Sequence, residues 1–311
     1  MKKLLFLLIL PSLISSAKNS VSVADSAMLK QHVFKLCNDK GFRTIKDTAA
    51  LNRAGTYIFA EMGKYAANVH IQPFIIKGKT YQNIICSFGP KDAPRIVIGA
   101  HYDVCGDHPG ADDNTSGVAG LLELTRLLSA IPDTNWKYNV ELVAYTLEEP
   151  PAFEGPDMGS AYHAKNLFEN HVNVFGMISL EMIGFYRDGK RTQHYPAGFL
   201  KLFYGSRGNF ITVVKKLHSG PFTRRFKRRF RHSGDMITKV FAAPPAIVPG
   251  VDLSDHRNYW AYNWDALMIT DTSFFRNENY HKTTDTPETL DYTRMSFVVT
   301  KVFNAISTMV F

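Results

Sequence analysis

Apolar and polar residues alternate along the chain with two different periods, which predict strands and helices in turn. Alternation with period two, or a short β-branched run, predicts strands at 69–76, 81–88, 95–100, 138–146, 174–180, 199–204 and 266–271. Apolar residues that recur every three to four positions predict helices at 21–38, 52–66, 118–128, 159–168, 210–217 and 292–309. Strands and helices alternate over most of the chain. The sequence therefore predicts an α/β fold, a three-layer sandwich with a mixed, mostly parallel central sheet.

The first residues of the chain form a separate unit. Two lysines precede an apolar run at 4–14, and small residues follow it, as in a secretory signal peptide. The run is too short to cross a bilayer. We therefore predict a signal peptide at 1–17, with an uncleaved anchor as the alternative, and a single domain at 18–311. The mature protein is expected to be exported, either periplasmic or secreted.

Charge and composition limit the kinds of molecule that the protein is expected to bind. The 311 residues are 45% hydrophobic, enough for one large core, and the formal net charge is +8. Six of the eight residues at 224–231 are basic, which invites a nucleic-acid interpretation. However, Phe222, Phe226 and Phe230 recur every four residues, which favours an amphipathic surface helix. We predict no nucleic-acid partner and, after signal cleavage, no membrane partner.

The three cysteines limit the redox chemistry of the chain. Cys37, Cys86 and Cys105 cannot all pair, which excludes a disulfide framework. One bridge is possible in an oxidising compartment. Cys105 is close in sequence to the candidate site described next, but no His–Asn partner pattern supports a nucleophilic thiol. Residues 241–255 are rich in proline and alanine and are predicted to be a loop.

Segment 95–117 combines a buried strand, a polar turn and the start of a helix. His101 and Asp103 follow the strand, and their two-residue spacing points both side chains the same way. A metal-binding histidine needs a neighbour that fixes its tautomer, and a carboxylate does this well. Asp112 and Asp113 add two carboxylates in the turn. A strand, a polar turn and a helix form the edge at which α/β sheets place ligands.

More acidic residues follow the later strands. Glu148 and Glu149 come at the end of an apolar strand, and Glu181 directly follows the next one. His281 comes late in the chain. Adjacent carboxylates at a buried rim repel unless a cation compensates, and mixed histidine and carboxylate ligands suit zinc. The set is large enough for one ion, or for two that share a carboxylate. One glutamate can then bind metal while the other moves a proton from water to a leaving amine.

Five motifs occur in order along the chain. They are HYD at 101–103, GADDNTSG at 110–117, LEEP at 147–150, LEMIG at 180–184 and NYHKTTDTPETLDY at 279–292. In these motifs the chain resembles the zinc exopeptidase family of bacterial leucyl aminopeptidase and aminopeptidase Y. The resemblance runs from about residue 30 to the C-terminus. It implies a phosphorylase/hydrolase-like fold, two zinc ions, and an aminopeptidase that acts on the N-termini of peptides or proteins.

The resemblance also implies a role for each residue of the cluster. The implied zinc ligands are His101, Asp113, Glu149, Glu181 and His281. Asp113 would bridge both ions, Asp103 would orient a histidine ligand, and Glu148 would be the general base. The peptide after the bridging residue is often cis in relatives, which implies a cis bond between Asp113 and Asn114.

Glu181 departs from the family pattern, in which aspartate is usual at this position. The extra methylene moves the carboxylate by about 1.5 Å, one C–C bond. This keeps open a second hypothesis, a glutaminyl cyclase with one zinc on Asp113, Glu149 and His281. A third hypothesis is a non-catalytic binding domain on the same fold. The intact His101 argues against the cyclase, and the complete ligand set argues against the binding domain.

Substrate preference and oligomeric state are not readable from the sequence. An apolar pocket or the core could hold the aromatic residues Phe185, Tyr186, Tyr259, Trp260, Phe274 and Phe275. Relatives often carry an Asp-His pair near the pocket, which Asp255 and His256 resemble. We interpret Asp255 as a residue that supports the metal ligands, and His256 is a weaker ligand candidate.

Overall fold

One mixed sheet organises the part of the chain that the computed structural model describes, residues 23–132, 134–244, 248 and 250–311. Its eight strands are β1 Val69–Ile76, β2 Lys79–Phe88, β3 Arg95–His101, β4 Asn139–Tyr145, β5 Val174–Glu181, β6 Ile211–Lys215, β7 Thr238–Ala242 and β8 Ala266–Thr270. The α-helices are α1 Ser26–Cys37, α2 Thr48–Gly63, α3 Gly117–Ser129, α4 Gly159–Glu169, α5 Leu200–Tyr204, α6 Pro221–His232, α7 His256–Trp260 and α8 Tyr292–Val310. The spatial order of the strands is β1-β2-β4-β3-β5-β8-β6-β7.

The middle of the sheet is parallel and its flanks are partly antiparallel. β3 runs parallel to both β4 and β5, and β5 runs parallel to β8. On one flank β2 is antiparallel to β4 and β1 to β2; on the other, β6 is antiparallel to β8 and parallel to β7. The predicted α/β architecture is confirmed.

Alternate residues of the central strands face two separate cores. Ile96 and Ile98 of β3 belong to one core and Val97 to the other, as the period of a strand requires. The larger core is covered by α1, α2, α3, α6 and α8, and the smaller one by α4 and α7. β3 is buried on both faces, which explains why its sequence is continuously apolar.

The basic run forms α6, as predicted. Phe222, Phe226 and Phe230 are fully buried, and their rings stack with centroid distances of 6.0 and 5.4 Å. Arg224 and Arg228 lie on the exposed side of the helix. The amphipathic interpretation of this run is confirmed.

Two neighbouring elements were predicted the wrong way round. Residues 199–204, predicted as a strand, lie mainly in α5, and residues 210–217, predicted as a helix, contain β6. The sequence of β6, Ile-Thr-Val-Val-Lys, holds four β-branched residues, which favour a strand because they pack well on a pleated surface. α5 buries none of its residues and ends at Gly205, where φ is 76°. The predicted loop at 241–255 is also wrong at its start, which belongs to β7.

Two further sequence predictions concern the N-terminal segment and the cysteines. The predicted signal peptide at 1–17 lies outside the described residues. Among the residues described, no helix has the length and apolar character to cross a membrane. Cys37, Cys86 and Cys105 are all free, so the one bridge that the sequence left open does not form.

Candidate metal centre

Three strand ends and one late loop bring the predicted residues to one edge of the sheet. His101 ends β3, Glu181 ends β5, and Glu148 and Glu149 follow the end of β4. Because these three strands are parallel, their carboxyl ends meet at the same edge. His281 reaches this edge from the loop that precedes α8.

Asp113 lies between two groups of side chains. One of its oxygens, Oδ1, is 3.4 Å from His101 Nε2, and the other, Oδ2, is 3.1 Å from His281 Nε2. Glu181 Oε2 is also 3.4 Å from His101 Nε2, and Glu149 Oε2 is 3.4 Å from His281 Nε2. Each group therefore contains one histidine, one glutamate and one oxygen of Asp113.

These separations suit a pair of small divalent cations. Zinc binds nitrogen and oxygen ligands at about 2.0–2.2 Å, so neighbouring ligand atoms of a tetrahedral site lie roughly 3.3–3.6 Å apart. The separations of 3.1 and 3.4 Å come close to that range. In addition, Glu149 Oε1 and His281 Nε2 are buried without a hydrogen-bond partner among the described residues. Buried polar atoms are normally satisfied, so unpaired ones point to a ligand.

The pKa shifts of the carboxylates in the cluster also favour a bound cation. Burial raises the pKa of Glu149 to about 8, helped by the nearby Asp113, and raises the pKa of Glu148 well above its usual value. Asp113 is an exception: burial is outweighed by the nearby imidazole rings of His101 and His281, and its pKa is lowered. Carboxylates this close can all ionise only if a positive charge compensates them. A divalent cation supplies that charge.

The turn that carries Asp113 is fixed by side chains from distant parts of the chain. Asp285 accepts hydrogen bonds from the backbone N–H groups of Asp112 and Asp113, at 3.0 and 3.1 Å. Asn114 donates to the carbonyl of Leu180 at 2.8 Å, which ties the turn to the end of β5. The bond between Asp113 and Asn114 is cis, as the resemblance implied. The sequence did not single out Asp285.

Asp103 fixes both a histidine and a turn. Its Oδ1 is 3.5 Å from His101 Nδ1, and its backbone oxygen is 3.2 Å from the same nitrogen. Its two carboxylate oxygens also accept hydrogen bonds from the backbone N–H groups of Glu148 and Glu149, at 3.1 and 3.0 Å. Asp103 therefore contacts the histidine ring mainly through its backbone oxygen and holds the backbone of both glutamates through its carboxylate, the kind of outer support that metal ligands need.

Glu181 has a partner that no sequence pattern revealed. Ser254 Oγ donates to Glu181 Oε2 at 2.7 Å, and Ser179 Oγ lies 2.7 Å from Ser254 Oγ. All three side chains are buried. The hydroxyl of Ser254 therefore holds the longer side chain of Glu181 in place, with the same oxygen 3.4 Å from His101 Nε2.

Removing this hydroxyl tests the role of Ser254. We expect Ser254→Ala to weaken zinc binding at the Glu181 side by roughly 10–100-fold, the usual cost of losing a partner of a metal ligand. Competition with a zinc-responsive dye would measure this. Ser296→Ala, at a buried serine of α8, is the matched control and should keep the wild-type affinity. Equal affinities for the two variants would remove Ser254 as a positioning residue.

Asp255 and His256, the Asp-His pair noted in the sequence, have different surroundings. Asp255 is fully buried, and neither of its carboxylate oxygens has a hydrogen-bond partner among the described residues. Burial raises its pKa to about 7, although the nearby His101 acts in the opposite direction. His256 donates Nε2 to the carbonyl of Val251 at 2.8 Å and packs edge-on against Trp260. The Nε2 of His256 is therefore occupied, whereas its Nδ1 is buried without a hydrogen-bond partner among the described residues.

An apolar pocket opens beside Glu181. Several aromatic residues line it, among them Phe210, Phe241, Phe274, Phe275 and Tyr280. Of the six aromatic residues considered from the sequence, Phe274 and Phe275 line this pocket. The other four are buried in the protein: Phe185, Tyr186, Tyr259 and Trp260. The pocket can accept an apolar side chain of a bound molecule.

The fold and the site together define a class of protein, an α/β domain with a candidate metal-binding cluster at the carboxyl edge of its parallel strands. Residues 83–305 match the sequence profile of peptidase family M28. This match covers most of the chain, which therefore belongs to peptidase family M28.

Individual proteins show the same relationship. The uncharacterized protein YfbL of Escherichia coli is 39% identical, over 97% of this chain and 96% of its own length. Leucine aminopeptidase 1 of Paracoccidioides brasiliensis is 24% identical, over 87% of this chain and 68% of its own. The solved structure of BSAP, a zinc aminopeptidase from Bacillus subtilis, superposes with a TM-score of 0.72 at 15% identity, over 92% of this chain and 95% of that one. The structural likeness establishes the shared fold.

Proposed function

We propose that this protein is a zinc aminopeptidase that removes residues from the N-termini of peptides or proteins. The observation that carries the proposal is the arrangement around Asp113, whose two oxygens face two separate groups of histidine and glutamate. Membership of a peptidase family and the similarity to a leucine aminopeptidase support it. The zinc aminopeptidase of Bacillus subtilis shares the fold.

In this proposal the cluster would hold two zinc ions. His101 and Glu181 would hold one ion, His281 and Glu149 would hold the other, and Asp113 would be a ligand shared by both. When bound, such a pair polarises the scissile carbonyl and activates the attacking water. The aspartate in the middle also fixes the spacing of the two sites, because its two oxygens belong to one rigid group.

Glu148 is the general base of the proposed reaction. Its Oε2 lies 3.9 Å from His101 Nε2, farther than the atoms of either ligand group, and the side chain is almost fully buried. Burial and the neighbouring carboxylates hold its pKa high, although His101 acts against them. A carboxylate with a raised pKa can take the proton of the attacking water and pass it to the leaving amine.

The aromatic pocket beside Glu181 supports a preference for apolar side chains at the N-terminus of the substrate. Its lining includes Phe274, Phe275 and Glu181, which is one of the proposed metal ligands. A pocket with an aromatic wall desolvates an apolar side chain favourably, whereas a charged side chain would lose its water without a partner. Leucyl substrates are therefore suitable for a first assay.

The glutaminyl cyclase hypothesis predicts a different metal content. It needs one zinc, on Asp113, Glu149 and His281, and leaves the other group without a function. His101 and its partner Asp103 are nevertheless both buried and in contact, 3.5 Å apart. Metal analysis of the purified protein separates the two hypotheses.

We also propose that the protein is exported, because a basic start, an apolar run and small residues precede the domain. N-terminal sequencing of the protein from a periplasmic or secreted fraction tests this directly. A mature N-terminus near residue 18 is expected, and an intact Met1 in that fraction would indicate an uncleaved anchor.

Metal removal tests the proposed function. We expect a chelator to abolish hydrolysis of leucyl-p-nitroanilide and added zinc to restore it, since the ions supply several kcal/mol of transition-state stabilisation. Mass spectrometry of metals should find about two zinc ions per chain, one for each ligand group. Full activity in the metal-free protein would contradict the proposal. One zinc per chain, with cyclisation of N-terminal glutamine, would support the cyclase instead.

A further inference from the structure

The loop after β3 brings a thiol to one side of the proposed metal centre. Cys105 Sγ, a carboxylate oxygen of Glu149 and a ring nitrogen of His281 all lie within 4.8 Å of one another. Glu149 and His281 are the two residues proposed above to hold one of the zinc ions with Asp113. The thiol is therefore placed beside one ion site.

The atoms that face this thiol are unsatisfied. Glu149 is 6% exposed, yet its Oε1 has no hydrogen-bond partner within the described part of the chain, and neither has His281 Nε2. His108, three residues after Cys105, is also buried, with both ring nitrogens unpartnered and its ring centroid 6.0 Å from that of His281. Such a concentration of unpaired buried polar atoms is typical of a binding site and rare elsewhere.

We propose that Cys105 is a further ligand of the ion held by Glu149 and His281. The inference rests on the proposed function only for the position of that ion. As the bond from sulfur to the metal forms, the bond from sulfur to hydrogen breaks and the proton leaves to solvent, so that the thiolate is the ligand. With one oxygen of Asp113, the set becomes one sulfur, one nitrogen and two oxygens, a complete tetrahedral shell for Zn²⁺.

A thiolate changes the properties of this ion site. Sulfur is a soft ligand and favours zinc over harder ions such as Mg²⁺ and Mn²⁺. With four protein ligands this ion would have to expand to five-coordinate to contact water or substrate, whereas the ion at Glu181 would keep an open position. The thiol therefore distinguishes the site at Glu149, because Cys105, Glu149 and His281 form a group of possible metal ligands that includes a cysteine.

Cobalt provides a direct probe of a metal–sulfur bond. The full-length mature protein, stripped of metal and loaded with two equivalents of Co²⁺, is expected to show a thiolate-to-cobalt charge-transfer band in the near ultraviolet. Cys105→Ser should abolish this band and weaken zinc binding at that site by roughly 10–100-fold, the range known for the loss of supporting groups at metal sites. Cys37→Ser is the matched control and should keep the band. Cys37 is also half-buried, but its thiol donates a hydrogen bond to Thr115.

A second measurement does not depend on the folding of a variant. Zinc should protect Cys105 of the wild-type protein from alkylation by iodoacetamide, with Cys37 in the same sample as the internal reference in peptide mass spectrometry. Absence of the cobalt band with both ions bound, persistence of the band in Cys105→Ser, or equal alkylation with and without zinc would each overturn the proposal. A cobalt band without any peptidase activity would reject the proposed function and leave the ligand in place. Peptidase activity without the cobalt band would reject Cys105 as a ligand and leave the proposed function in place.

Discussion

Glu148→Gln is expected to lower the turnover of leucyl-p-nitroanilide by roughly 10²–10⁴-fold, the usual contribution of a general base. The amide keeps the shape of the side chain but cannot take a proton. Glu148 Oε2 is 3.9 Å from the nearest histidine nitrogen, outside both ligand groups, so both ions should remain bound. The loss should therefore fall on kcat, with KM little changed. Steady-state kinetics and metal analysis on the same preparation measure both quantities.

The adjacent glutamate provides the control for this variant. Glu149→Gln is the same substitution one residue later, but Glu149 Oε2 lies 3.4 Å from His281 Nε2 within a ligand group. This variant should lose one ion as well as activity. If Glu148→Gln also lost an ion, Glu148 would be a ligand and not the base. If its kcat were unchanged, the proton would have to go to another group, and the fully buried Asp255 would be the next candidate.

The parts of the fold that could be predicted from sequence are those that carry a strong local pattern. β3 is buried on both faces and therefore appears as an apolar run. The three phenylalanines of α6 recur with the period of a helix, which outweighs the high charge of that segment. The site could be anticipated for a topological reason, since polar residues after successive parallel strands must meet at one edge.

The failures have physical causes as well. α5 and β6 were exchanged because both are short apolar segments, for which periodicity separates helix from strand poorly. The β-branched residues of β6 were the signal that could have settled its type. Ser254 and Asp285 were missed because their roles arise from contacts with residues 73 and 172 positions away in the chain. No local pattern encodes such a contact.

Cys105 is an intermediate case. The sequence placed this residue near the site, and the absence of a catalytic partner pattern argued against a nucleophile. Its closeness to Glu149 and His281 depends on how the loop after β3 folds over the site, which only the structure shows. The sequence was therefore enough to argue against Cys105 as a nucleophile, but not to propose it as a metal ligand.

Asp113→Asn is expected to have the largest effect on the proposed metal centre, because a single side chain would serve both ion sites. The two oxygens of Asp113 lie 3.4 and 3.1 Å from the two histidines. In asparagine one of these oxygens becomes an NH₂ group, which cannot bind a cation, and the negative charge is lost. We expect metal content to fall from about two ions to below one per chain, because both sites lose a charged ligand. Hydrolysis should fall by roughly 10³-fold or more, equivalent to several kcal/mol.

The neighbouring aspartate separates loss of the bridge from a general disturbance of the turn. Asp112 is fully buried, its Oδ1 accepts a hydrogen bond from the backbone N–H of Gly184, and its Oδ2 accepts one from Asn277 Nδ2. Asp112→Asn places an NH₂ group opposite one of these donors and so disturbs the turn, but it leaves Asp113 in place and should retain both ions. A ligand that binds only the folded state raises the melting temperature. Zinc should therefore raise the melting temperatures of the wild type and of Asp112→Asn, but not that of Asp113→Asn. Loss of a single ion from Asp113→Asn would show that Asp113 serves one site only, and retention of both ions would rule out the bridge.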